Sequence, residues 1–235
     1  MINKWVHIEC IFHNKWGLKI LNEINNAIKE NRMEKPSEAF NDYSMSIAIR
    51  LDLISRLLQR ITQHLGGLNE YLKDVNEEYI YTQEKEGFAL FIVDELKLDI
   101  LIDIDAFLFE VNSCCELLGL YMYELFIALG ISIEKKQIGM IQAKILKDKK
   151  VDATWFRKLD GSRNFFIHNA APYIAIDITD NKNQNLIIMK ENLKTFTDPT
   201  KYITLTTLVE IREGFKNALP VFQDHLIDCV RSATK

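Results

Sequence analysis

The sequence predicts an all-α protein, an up-down helical bundle into which one β-hairpin is inserted at about residues 173–190. Three observations carry this prediction. Apolar residues recur at helical spacing over most of the chain, and a single segment alternates with the two-residue period of a strand. The 235 residues also include only nine Gly and four Pro, too few for a turn-rich β-sandwich or barrel.

From the N-terminus, Trp5, Ile8, Ile11, Leu21, Ile24 and Ile28 mark a helical segment, though the first dozen residues suit an extended chain as well. Glu34-Lys35-Pro36-Ser37 separates this N-terminal segment (1–35) from a helical domain over 36–235, with Ser37 as the expected N-cap. Ile47, Leu51, Ile54, Leu58, Ile61 and Leu65 then predict a strong helix up to Gly66-Gly67. A polar helix from Leu68 to about Glu84 is expected after it.

Residues 88–130 pose a choice of period. Leu96 to Asp105 partly alternates, but the absence of Gly and Pro until Gly119 favours one long helix. At 100° per residue, Asp99, Asp103, Glu110 and Glu124 fall on one side. Asp105, Asn112 and Glu116 form a second polar stripe about 120° away. A greasy helix with two such stripes is largely enclosed, one stripe facing solvent and the other a polar interior site.

Ser132 is expected to cap a helix through about Lys147, and Val151–Asn169 to form another, with Gly161 as a point of kinking. On that second helix Trp155, Leu159, Ser162 and Phe166 share the core-facing arc. Tyr173–Thr179 and Asn185–Lys190 alternate around a polar turn, the hairpin. Asp198-Pro199 is expected to open the closing helical segment, which runs to about Ser232 and is kinked or split at Pro220.

Charge and cysteines narrow the function classes. With 29 basic and 33 acidic residues the net charge is −4, so no global cationic coat for nucleic acid exists and an anionic ligand needs a local patch. The N-terminus has no basic head followed by an apolar run, which predicts a cytoplasmic protein without a signal peptide. The greasiest stretch, Phe88–Ile133, is interrupted by eight acidic residues, which excludes a membrane span. Cys10, Cys114, Cys115 and Cys229 fit no CxxC pattern and read as reduced, buried thiols. His7, Cys10 and His13 share a loose helical face but lack a fourth zinc ligand, so no metal site is expected. His64 and His225 have no evident partner.

The chemistry is carried by Ser162-Arg163-Asn164-Phe165-Phe166-Ile167-His168-Asn169. Asn164 and His168 lie opposite the core arc, and Arg163 sits at the flank, about 140° from His168. A guanidinium stays charged and presents a fork of donors matched to phosphate oxygens. An imidazole exchanges a proton near neutral pH. Together they suit RNA cleavage in which the substrate's own 2′-hydroxyl attacks, so that neither a metal nor a protein nucleophile is needed. Arg60-Ile61-Thr62-Gln63-His64 has the same residue types one position too close and serves as a decoy. Residues Glu134–Arg163 carry nine basic and four acidic side chains, a segment of +5 leading into the motif while the rest of the chain is −9. Lys150, Arg157 and Lys158 within it are placed to bind a phosphate backbone.

Arg163-Asn164-x-x-x-His168 at the end of a helix resembles the motif of the HEPN superfamily. The run Arg-Asn-Phe-Phe-Ile-His-Asn, followed by a hairpin and a last long helix, resembles its small standalone bacterial members. The resemblance implies a metal-independent endoribonuclease without cofactor, of toxin–antitoxin or anti-phage type. By it Arg163 stabilises the phosphorane-like charge, His168 is general base or acid, and Asn164 orients one of them. It further implies RNA as substrate, a homodimer with a composite cleft, an antitoxin protein as partner, and a polar contribution from an earlier helix, for which Asp105, Asn112 and Glu116 are the candidates. The family also includes members that bind a nucleotide or a protein without cleavage, and that is the alternative reading.

Overall fold

The computed structural model describes residues 4, 6, 13–73, 75–168, 173–180 and 184–233. Among them are six helices, α1 (Trp16–Lys29), α2 (Glu38–Leu72), α3 (Asp94–Ala128), α4 (Ile138–Asp148), α5 (Thr154–His168) and α6 (Leu205–Arg231). Three short strands, β1 (Tyr173–Asp177), β2 (Asn185–Met189) and β3 (Tyr202–Thr204), form one antiparallel sheet in the order β1-β2-β3. The protein is thus mostly helical with a small inserted sheet.

The long apolar stretch is a helix and not a strand. α3 packs against α2, α4 and α5, which encloses Ile100, Ile104, Phe107, Leu108, Val111, Leu118, Tyr121, Met122 and Leu125. Enclosure on several sides explains why its apolar residues form no single stripe. Three residues of the first polar stripe, Asp103, Glu110 and Glu124, are tied to α2 and its N-cap. Ser37 Oγ donates to Glu124 Oε2 (2.7 Å), Arg50 Nη1 donates to both oxygens of Glu110 (2.6 Å), and Arg60 pairs with Asp103 (3.0 Å). Three polar ties therefore run the length of the α2–α3 pair.

Several boundaries differ from the sequence expectation. α2 passes through Gly66 and Gly67 and ends at Leu72, and the predicted polar helix to Glu84 is absent; only a 3₁₀ turn at Glu77–Tyr79 follows. Each interior glycine costs about 1 kcal/mol, and burial of Ile61 and Leu68 offsets it. Beyond Leu68 no described residue up to 93 is buried, so no apolar face there holds a further helix. The cap before α4 is Glu134 and not Ser132: a 3₁₀ turn at Lys135–Gln137 is closed by a reciprocal capping box between Glu134 and Gln137. Asp198 opens only a 3₁₀ turn at Pro199–Lys201, accepting from Thr200 N (2.9 Å). Tyr202–Thr204 then pairs with Ile187–Met189 as a third strand, and Thr204 Oγ1 caps α6. α6 continues through Pro220 without splitting. The carbonyl that loses its N–H partner belongs to Lys216, which is exposed and open to water.

The N-terminal segment is tied down by α1, which lies on α6. Trp16 Nε1 donates to Leu219 O (2.9 Å), Gln223 Nε2 donates to Trp16 O, and Arg231 pairs with Glu23 (2.6 Å). The readings made on Trp5, His7, Cys10 and the rest of 7–12 lie outside the described residues, as does most of the hairpin turn at 181–183.

α5 is seated by a close approach to α6. A Cβ at Gly214 would stand 2.2 Å from Trp155 Cγ, so only glycine lets the indole lie against the α6 backbone. Trp155 stacks on Phe156 (3.9 Å, 22°) and meets Phe215 edge-on (6.0 Å). The buried residues of α5 are Trp155, Leu159, Ser162 and Phe165, with Phe166 half-buried. The fully buried phenylalanine is thus Phe165 instead of the predicted Phe166, because residues after β2 cover that flank, with Lys190 Nζ 5.4 Å from the Phe165 ring centre. Gly161 introduces no break in the helix.

Candidate functional site

Asp152 sets the start of α5. Its carboxylate accepts from Thr154 N (2.9 Å) and Thr154 Oγ1 (2.6 Å), hydrogen bonds that hold it below the usual carboxylate range. From this fixed start the helix runs 15 residues to His168. At 100° per residue, Arg157, Gly161, Asn164 and His168 lie within about 60° of one another. All four are exposed. Arg163 is half-buried at the flank of this strip. Among the described residues, neither Arg163 nor His168 enters a hydrogen bond or an ion pair. Both are therefore reachable from solvent and uncommitted, but they leave the helix in different directions.

The flanking cations differ. Lys158 Nζ is held by Glu210 Oε2 of α6 at 2.6 Å, so its charge is already matched within the protein. Arg157 is exposed, and Lys150 is exposed in the turn between α4 and α5, where it takes φ +56°. That turn caps α4 through Val151 N donating to Leu146 O (2.8 Å).

Of the suggested contributors from α3, Asp105 and Glu116 are exposed and Asn112 is half-buried. Asn112 Nδ2 donates to Glu116 Oε1 (2.8 Å), an i,i+4 pair on the helix itself. Burial pushes the Cys115 thiol well up, and the charges of Glu116 on α3 and Asp160 on α5 add to it. No hydrogen bond or ion pair among the described residues joins any of the three to Arg163 or His168.

Sequence reasoning missed one constellation. The decoy pair Arg60 and His64 converges on Asp103, whose side chain is 1% exposed. Arg60 Nε donates to Asp103 Oδ2 (3.0 Å), Arg60 Nη2 lies 3.0 Å from Oδ1, and His64 Nε2 lies 3.2 Å from Oδ2. The available signal was the i,i+4 spacing of Arg60 and His64 together with an acid in the first α3 stripe. The missing information was which helix packs on which. His225 also has neighbours, Cys229 Sγ at 3.6 Å and the Phe126 ring edge-on at 6.4 Å.

Cys114 and Cys115 are structural thiols, and Cys10 lies outside the described residues. Cys114 is free and buried, and desolvation pushes its pKa up to about 12, far from the reactive range. No group of three His, Cys, Asp or Glu among the described residues is arranged to hold a metal ion. No described helix is long and apolar enough to cross a membrane.

No family model, curated protein or solved structure matches this chain. What the α5 strip can do chemically follows from its residues alone. It offers a permanent cation, a titratable ring and an amide on one exposed helix end, next to the most basic part of the chain.

Proposed function

We propose that the protein is a metal-independent endoribonuclease of the HEPN type, an up-down helical bundle whose site centres on Arg163 and His168. The observation that carries this reading is that His168 is exposed, Arg163 is half-buried, and neither side chain has a hydrogen-bond or ion-pair partner among the described residues. A structural pair would be matched, as Arg60 and His64 are. In the reaction His168 takes the proton from the 2′-hydroxyl of RNA, or gives one to the leaving 5′-oxygen. The 2′-oxygen bonds to phosphorus and the P–O5′ bond breaks, leaving a 2′,3′-cyclic phosphate and a 5′-hydroxyl. Arg163 neutralises charge that builds on the non-bridging oxygens, where a forked cation acts most strongly. Asn164, on the same strip as His168, orients the ring or the phosphate.

Arg163 and His168 project about 140° apart on an ideal helix. This divergence is compatible with a homodimer, in which the arginine of one protomer completes the cleft of its partner. It equally suits the second reading, a non-catalytic module that binds a nucleotide or a protein. A toxin role with an antitoxin partner belongs to the proposal through the family resemblance.

The test is incubation of single-stranded RNA with the protein in EDTA, comparing wild type with His168→Ala and Arg163→Ala. Wild type is expected to yield cyclic-phosphate ends and both variants to lose them. Equal cleavage by all three removes the assignment, and no cleavage by wild type selects the binding module.

A further inference from the structure

A hollow of about 510 Å³ lies between α4 and the start of α5, a size typical of small-ligand sites. Gly139 and Ala143, one helical turn apart on α4, leave one wall low, and a Cβ on Gly139 would meet nothing within 4 Å. The facing wall is the half-buried ring of Phe156, stiffened by its stack on Trp155, which Gly214 locks in turn. Gln142, 7% exposed, also lines the hollow. Its Nε2 donates to Cys115 O (3.2 Å), and its amide oxygen accepts no hydrogen bond among the described residues. Arg157, exposed, is part of the lining and has no ion pair among the described residues.

An aromatic wall, one unengaged amide acceptor and a cation in the lining suit a planar, donor-bearing group attached to an anionic chain. That is the chemistry of an unpaired nucleobase. Position supports the match. Arg157 and His168 are eleven residues apart on one helix, about 16 Å along the axis and about 20° apart around it. The strip between them passes Gly161, where a Cβ would meet nothing within 4 Å, so a backbone can approach closely. Asp160 is the acidic residue at the edge of this strip.

We infer that the hollow between α4 and α5 is a base-binding subsite for single-stranded RNA. The strand follows the exposed strip of α5, with one base against Phe156 a few nucleotides from the phosphate held at His168. This inference rests on the ribonuclease reading, and its test separates the two. Binding of a fluorescein-labelled hexaribonucleotide is followed by anisotropy in EDTA, and its cleavage is timed in parallel. One abasic residue is moved along the hexamer. In the wild-type protein a single abasic position is expected to weaken binding about tenfold, the loss of one stacked base. Ala143→Trp, at an exposed position, fills the hollow and is expected to weaken the intact hexamer by about the same factor and to flatten the abasic scan. If cleavage occurs, its KM rises while kcat holds. A flat scan in wild type, or unchanged binding by Ala143→Trp, overturns the subsite whether or not RNA is cut. A peaked scan with no cleavage keeps the subsite and removes the nuclease.

Discussion

An arginine and a histidine stand within one and a half turns of each other at two places in this molecule, and their surroundings differ in kind. On α2, Arg60 and His64 close on the buried carboxylate of Asp103 and join two long helices. On α5, exposed His168 and half-buried Arg163 engage no acid among the described residues. A buried carboxylate needs its partners, since the desolvation it suffers is repaid only by close charge and hydrogen bonds. A cation that is meant to meet an external anion must not have an internal one. The difference between a tie and a site is therefore the third residue, and residue types alone do not supply it.

Exchanging the roles of the two histidines breaks this comparison most directly. His168→Ala should cost at least a hundredfold in RNA cleavage, within the range of removing a general acid or base, with thermal stability unchanged. His64→Ala should do the reverse, keeping cleavage and lowering the melting temperature. Swapped outcomes would move the site to the α2–α3 seam. Next in size is Asp103→Ala, which leaves Arg60 and His64 without their acceptor. Urea unfolding should show a loss of about 3 kcal/mol, the low end for breaking a buried pair because Arg60 is 48% exposed. A loss below 0.5 kcal/mol, the level of an ordinary surface change, would mean the seam holds nothing.

Gly214→Ala tests whether the seating of α5 matters to its open end. The new methyl meets Trp155, and overpacking of this sort costs about 1–3 kcal/mol. Cleavage should fall together with stability, because Trp155 positions the helix that carries His168. Full stability would show that the indole moves aside freely. The smallest effect concerns a third imidazole, neither tied to an acid nor open. Burial lowers the pKa of His225, Lys149 lowers it further, and Asp228 and Asp148 oppose the shift. The unfolded chain therefore takes up this proton first as pH falls. Stability from this group is complete above the ordinary histidine value of about 6.5 and declines below it. His225→Gln should flatten the fall of the urea midpoint between pH 7 and pH 5, and an identical slope would remove His225 from the account.

Much of the helical frame is readable from local pattern. Ile47 to Leu65 and Phe88 to Ile133 declare α2 and α3 because each buries a face, or nearly every face, at helical period. Tyr173–Asp177 and Asn185–Met189 declare β1 and β2 by alternation. β3 escapes because three residues have no period of their own, and Ile203 becomes a strand residue only by pairing with Ile188. Asp198-Pro199 then reads as the start of a helix, which local chemistry alone supports. The end of α2 escapes because it is decided by where α3 stops covering it. At the site, Arg163, Asn164 and His168 are legible as a motif, and their exposure follows from the helix wheel. The engagement of Lys158 by Glu210, the hollow beside Phe156 and the acid beneath His64 are not legible. Each depends on a neighbour far away in sequence.

The three cross-ties between α2 and α3, at Ser37–Glu124, Arg50–Glu110 and Arg60–Asp103, sit at unequal intervals along the two helices. Sliding one helix past the other by a turn cannot re-form all of them at once, so intermediate alignments have no foothold. Pulled lengthwise in opposite directions by an optical trap, the pair should resist as a keyed shaft does, holding its length and then giving way in a single rip.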